Sequence, residues 1–266
     1  LSDATNYEQA LTYFDLENFT DYYIAEMYAA NIDWPQNNYN YFRKRTAYNP
    51  EAAYGHDGRF RFLFKDLDLA FLPYSSSFNA IEHAISNAIF GQEYNNVFFS
   101  KLLENQDFKQ TFINRFADLI NTTYNSTRVI DVINFSQDQI RSEIPRHINR
   151  WNLIPSVEVW ESNVERLREF ANERPNYQKQ HIVEFFNLEG IYQLTTNVDD
   201  VEKGFVKVNT IEINNSTVGI DGDYSTWSGD YFKGVPITLQ AVALPGFVFS
   251  HWSGDVESTE AELTLN

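Results

Sequence analysis

Apolar residues follow two regimes along the chain. Up to about residue 195 they mostly recur every three or four positions, the period of a helix with one buried face. Beyond it they alternate, or gather in short β-branched runs between Gly and Asn. The segment DLENFTDYYIAEMYAAN places Leu16, Phe19, Tyr23, Ile24 and Met27 on one helical face, with Asp15 as N-cap. NYEQALTYF, just before it, is a shorter helix. The helix from Asp15 is expected to stop before Pro35, because proline disfavours helical geometry in the residue preceding it.

Two strand-like runs follow, YNYFRKR and GRFRFLF. The second alternates, which predicts Phe60, Phe62 and Phe64 on one face and Arg59, Arg61 and Leu63 on the other. From Asn79 to Asn187 the helix period holds throughout: NAIEHAISNAIF, NNVFFSKLLEN, FKQTFINRFADLINTTY, then long runs from Ser126 and Val157. Ser126 and Ser156 read as N-caps, and Pro145 as a bend or interruption. The tail over 200–266 reads as strands only, in GFVKVNTIEI, VPITLQAVAL and FVFSHWS. The expected class is α+β: a mainly helical lobe over 1–195 with a β-hairpin, then a small all-β domain over 200–266. TTNVDDVEKG supplies the boundary, and its first residues are placed to enter a sheet.

Composition narrows the chemistry. A formal charge of -17 repels DNA and RNA, so nucleic acid is not expected as a partner. The absence of Cys removes disulfides, thiolate catalysis and Cys-bound zinc. No run approaches the roughly 18 apolar residues of a membrane span. The first residue is Leu and no signal-like segment follows, so a soluble fragment of a longer product is expected. Serine-hydrolase and P-loop motifs are absent, and the five His show no metal-ligand spacing.

What remains is a set of acidic and amide side chains. Asp33 and Asn38 lie five positions apart in a loop, and GRFRFLF runs directly into Asp66 and Asp68. Phosphoryl transfer needs a carboxylate at the attacking hydroxyl, plus an amide and a carboxylate on Mg²⁺, and protein kinases space the first two in this way. Asp and Asn are also common in loops because they tolerate turns. The order of helix, loop, hairpin and acid strengthens the chemical reading but leaves the turn reading standing. On an extended segment Asp66 and Asp68 can point the same way, so the sequence does not choose between them.

NIDWPQNNYNYFRKR followed by GRFRFLFKDLDLAF resembles the CotH kinase family, named for spore coat protein H. The match runs through Asp33, Trp34, Pro35, Asn37, Asn38, Arg43, Asp66, Asp68 and Phe71, and the likeness covers residues 1–190. The resemblance implies a kinase-like C-terminal lobe and an atypical, secreted protein kinase. Such an enzyme moves the γ-phosphoryl group of ATP, with Mg²⁺, to a Ser or Thr hydroxyl of an extracellular protein. It makes Asp33 the catalytic base, Asn38 and Asp66 cofactor and metal ligands, and Asp68 an additional or alternative metal ligand. A kinase also needs an upstream phosphate-covering segment and a lysine. No Gly precedes Gly55 and no Lys precedes Lys44. The upstream lobe is therefore expected to be missing, and this chain alone to be inactive. Arg43, Lys44, Arg45 and Lys65 read as solvated strand residues or carboxylate partners.

The tail resembles the internalin B-repeat modules of bacterial surface proteins, through Gly229, Tyr231, Gly234, Pro245, Gly246, Phe247, Trp252, Ser253 and Gly254. Those modules imply a spacer or adhesive element at the cell surface, with Trp252 in its core. The rival expectation is a non-catalytic extracellular scaffold, an adhesion or glycan-binding protein within a cell-surface assembly.

Overall fold

The computed structural model describes residues 1, 3–72, 75–86, 88–89, 92–93 and 96–266. Its architecture is α+β, with helices and small antiparallel sheets. Packing gives two compact units. One holds Leu1–Lys109 and Ser126–His181, the other Gln110–Asn125 and Ile182–Asn266. The periodicity of the sequence changes near residue 195. Packing instead divides the chain at Ile182 and draws Gln110–Asn125 into the second unit.

The first unit opens with α1 (Ala4–Tyr13), capped by Asp3, and α2 (Leu16–Tyr28), capped by Asp15, whose Oδ1 accepts from Asn18 N–H. Leu16, Phe19, Tyr23, Ile24 and Met27 are all buried, as the period requires, and so are Tyr22, Glu26 and Tyr28. Helix α2 stops at Tyr28, well before Pro35. Ala30 takes a left-handed conformation (φ 51°) and turns the chain out of the helix. Arg174, 0 % exposed, donates to the carbonyls of Met27, Tyr28, Ser76 and Phe78 and to Gln178. A buried guanidinium thus adds donors to carbonyls at the end of α2 and in the 76–78 segment, tying the two together.

The hairpin is shorter than expected: β1 (Asn40–Phe42) pairs antiparallel with β2 (Arg61–Leu63), Tyr41 opposite Phe62. Its alternation also differs from the expected one. Phe62 is buried, but so is Arg61, while Phe64 is exposed. Arg61 is held inside because Asp57 and Asp15 neutralise it.

Helix α3 (Ala80–Ile85) ends where Ser86 becomes extended, and the short strands β3 (Ala88–Ile89) and β4 (Gln92–Glu93) pair where a helix was expected. Residues 87, 90, 91, 94 and 95 of that stretch lie outside the described residues. Then come α4 (Val97–Leu102), α5 (Gln106–Asn121) and α6 (Ser126–Ile140). A 3-10 turn (Arg141–Glu143) leads into α7 (Ile144–Trp151), with Pro145 in its first turn, where a missing N–H costs nothing. Ser156 caps α8 (Val157–Phe186) by accepting from Val159 N–H. Ser126 does not cap in this way; its hydroxyl donates to the Ala171 carbonyl.

In the second unit, β5 (Ile191–Asn197) pairs with β8 (Thr226–Phe232). The four-stranded sheet runs β10 (Glu262–Leu265), β9 (Ile237–Ala243), β6 (Gly204–Val208), β7 (Ile211–Glu212). GFVKVNTIEI is thus two strands around a turn in which Asn209 is left-handed (φ 44°). FVFSHWS forms no strand beyond a bridge from Trp252 to Ser258, and Trp252 is only half-buried, its ring tilted against Phe249. Asp118 of α5 is 0 % exposed. Its carboxylate accepts from Thr210 N–H and hydroxyl, Asn209 and the Tyr231 hydroxyl.

Candidate functional site

The loop after α2 is anchored by Trp34. It is 0 % exposed and packs edge-on against Tyr22 and Tyr23, with centroids 6.1 and 4.8 Å away. The Trp34–Pro35 peptide bond is cis. Burying so large a ring fixes the loop and leaves its neighbour Asp33 half-buried at the rim.

Asp33 is held at both oxygens. Oδ1 accepts from the Asn37 amide at 2.8 Å and Oδ2 from the Asn38 amide at 3.1 Å. The spacing expected of Asp33 and Asn38 therefore corresponds to direct contact. Asn38 reaches that position with a left-handed backbone (φ 57°), which Asn tolerates better than most residues. Its amide presents nitrogen to Asp33. Rotation about its last torsion presents oxygen instead.

The Asp66 segment comes to the same place. The hairpin pair Asn40–Leu63 is the one nearest both Asn38 and Asp66 in the chain. Beyond it, Ile32 N–H donates to the Leu69 carbonyl at 3.3 Å and Phe71 N–H to the Ala29 carbonyl at 2.9 Å. Asp66 is exposed and left-handed (φ 57°), and Ala70 N–H turns back to the Leu67 carbonyl. The segment is therefore a turn, not extended, and the expectation that Asp66 and Asp68 share a direction has no basis in its backbone. These bonds tie the loop to Asp66–Phe71 as a whole. Asp68 is exposed on the turn. Of the nearby cations, Arg43 stacks over the Phe60 ring at 4.9 Å, and Lys44, Arg45 and Lys65 are exposed.

Residues missed in the sequence support the loop. Asn31 is 0 % exposed; its Nδ2 donates to Glu26 at 2.9 Å and its Oδ1 accepts from Asp33 N–H at 3.1 Å. Burial pushes the Glu26 carboxyl up to about 7, against the opposing pull of bonds from Asn31 and Tyr22. His83 of α3 lies against the backbone of Trp34 and Ile32, and burial lowers its basicity. The signal for Glu26 was present: an acid three and four positions beyond Tyr23 and Tyr22, on the core face of α2.

The model of one family, the CotH kinase protein family, matches residues 2–178. The chain belongs to the CotH kinase family. No curated protein and no solved structure matches it. CotH membership brings a kinase-like transferase class, with nucleotide and metal use as general properties. Among the described residues no three His, Asp or Glu side chains converge as a metal cluster. An all-oxygen set from Asn38, Asp66 and Asp68 would suit a hard cation such as Mg²⁺. That ion takes one or two carboxylates and completes its shell with water and substrate phosphates. A shallow groove of about 380 Å³, lined by Tyr13, Phe14 and Phe98 among others, involves none of these residues.

Proposed function

We propose that residues 1–178 form the catalytic lobe of an atypical protein kinase, which transfers the γ-phosphoryl group of ATP to a Ser or Thr hydroxyl. The observation that carries this reading is Asp33, gripped at both oxygens by Asn37 and Asn38 and hydrogen-bonded through the loop to the Asp66 segment. A carboxylate so fixed accepts a proton from a hydroxyl without reorganising, which lowers the barrier by positioning. Asn38 and Asp66 are the residues to hold Mg²⁺, which would neutralise charge on the phosphates. Asp68 is a further candidate ligand on the same turn.

The tail, by its internalin-like motifs, is a spacer or adhesive element. Together with family membership it supports action outside the cell, on a surface protein.

The test is transfer of labelled phosphate from ATP by the chain with its native flanking sequence, beside Asp33→Ala and Asp66→Ala. Loss of at least 100-fold in both variants is expected. Equal incorporation in all three refutes the assignment. Residues 1–266 alone are expected to bind Mg-ATP weakly, and low-micromolar affinity by calorimetry would contradict that.

A further inference from the structure

Glu26 is 0 % exposed, one of its oxygens has no hydrogen-bond partner, and it touches none of the groups assigned to the reaction. A buried carboxyl in this state is a liability for stability. Its surroundings show what it does contribute.

Two chains of hydrogen bonds leave it. Through Asn31, at 2.9 Å, it reaches Asp33 N–H at 3.1 Å and, from the same amide and more weakly, the Asp66 carbonyl at 3.5 Å. Tyr22 lies beside the same carboxyl, and its single hydroxyl proton is shared between Glu26 and the Asn38 carbonyl, the latter at 3.5 Å. Asp33, Asn38 and Asp66 are separated by up to 33 positions in sequence, and a single side chain lies two bonds behind each of them.

We infer that Glu26 is a positioning residue: with Asn31 and Tyr22 it sets the spacing of Asp33, Asn38 and Asp66. The inference rests on the phosphoryl-transfer reading for its catalytic consequence, and on geometry alone for its structural one. Helix α2 is the suitable base, since its end is pinned by the buried Arg174. The Asn31 amide is the suitable relay, because it donates and accepts in the same plane and so couples two backbone segments to one carboxyl. Glutamine at position 26 keeps an acceptor for Asn31, whereas leucine fills the volume and removes it.

Hydrogen exchange over residues 31–38 and 66–71 is compared in the chain with its native flanking sequence, as wild type, Glu26→Gln, Glu26→Leu and Asn31→Ala, with kcat and KM for ATP measured alongside. Glu26→Leu and Asn31→Ala are expected to exchange about tenfold faster in both segments, with the rest of the first unit unchanged. Their kcat falls about 100-fold at unaltered KM, the result of a misplaced group. Glu26→Gln recovers both. Should Glu26→Leu fail to fold, Asn31→Ala carries the test with the carboxyl in place. Wild-type exchange in Asn31→Ala, or a Glu26→Gln as loose as Glu26→Leu, overturns the role. If the wild type transfers no phosphate and the two segments still loosen, the kinase reading falls and the positioning role stands.

Discussion

Arg61 grips Asp57 with both terminal nitrogens, each 2.7 Å from a carboxylate oxygen, where the two residues are only 1 % and 4 % exposed. The same guanidinium reaches Asp15 at 2.8 Å, and Asp15 caps α2. The pair therefore locks the hairpin to the helix that carries the site. Removing Asp57 leaves the buried guanidinium with Asp15 alone and costs it the two-point grip. Asp57→Ala is expected to cost about 3–5 kcal/mol by urea denaturation. Arg61→Met combined with Asp57→Leu should cost clearly less than the sum of the single changes, because the pair then leaves together.

Stability should depend on pH through Glu26. Its folded pKa is raised from 4.5 to about 7, so its protonated form favours folding. That contribution is complete below pH 4.5 and is lost as pH rises through 7, by about 3 kcal/mol in all. His83 and His181, both lowered chiefly by burial, act in the opposite direction and lose stability as pH falls below 6.5. The comparison to make is wild type against Glu26→Gln: the difference in denaturation midpoint should widen from pH 5 to pH 8 in favour of the glutamine variant.

Asn38 separates backbone from side chain. Its φ of 57° suits glycine and penalises a Cβ. Asn38→Gly and Asn38→Ala both remove the amide, and both should raise the Mg²⁺ concentration for half-maximal transfer about tenfold or more. Only the alanine variant should also lose about 1 kcal/mol of stability. Magnesium titrations and thermal melts on the two proteins check this.

Asp118→Ala should destabilise the second unit by at least about 3 kcal/mol, because the Thr210, Asn209 and Tyr231 donors lose one shared acceptor. Hydrogen exchange in β6, β8 and β9 reads it, and the Asp33 loop should keep its wild-type protection.

Helix α2 was legible because its buried positions keep the 3.6 period and Asp15 is a strong cap. That Asp33 and Asn38 share one short loop was legible from Pro35 and the spacing; their direct hydrogen bond was not. Arg61 was not, because alternation assumes that Arg faces water, and only the folded chain brings Asp15 and Asp57 to it. The Asp66 turn was not, because an acidic run after a strand gives no sign of a left-handed residue. Nor was the break after Ile85, since a short apolar run fits helix and strand alike. Glu26 carried a signal, an acid on the core face of α2, but its role through Asn31 did not, because the Asp66 carbonyl that Asn31 also meets lies 35 positions along the chain.

One carboxylate also bears on where this protein can be cut. The family match ends at residue 178, yet Asp118, well inside it, spends its bonds on residues 209, 210 and 231. A product trimmed to the family boundary would keep a buried acid evolved for partners it no longer has. The tail expressed alone would lack the helix its strands fold around. Recombination or engineering that treats the two as interchangeable beads has to carry Gln110–Asn125 along with the strands.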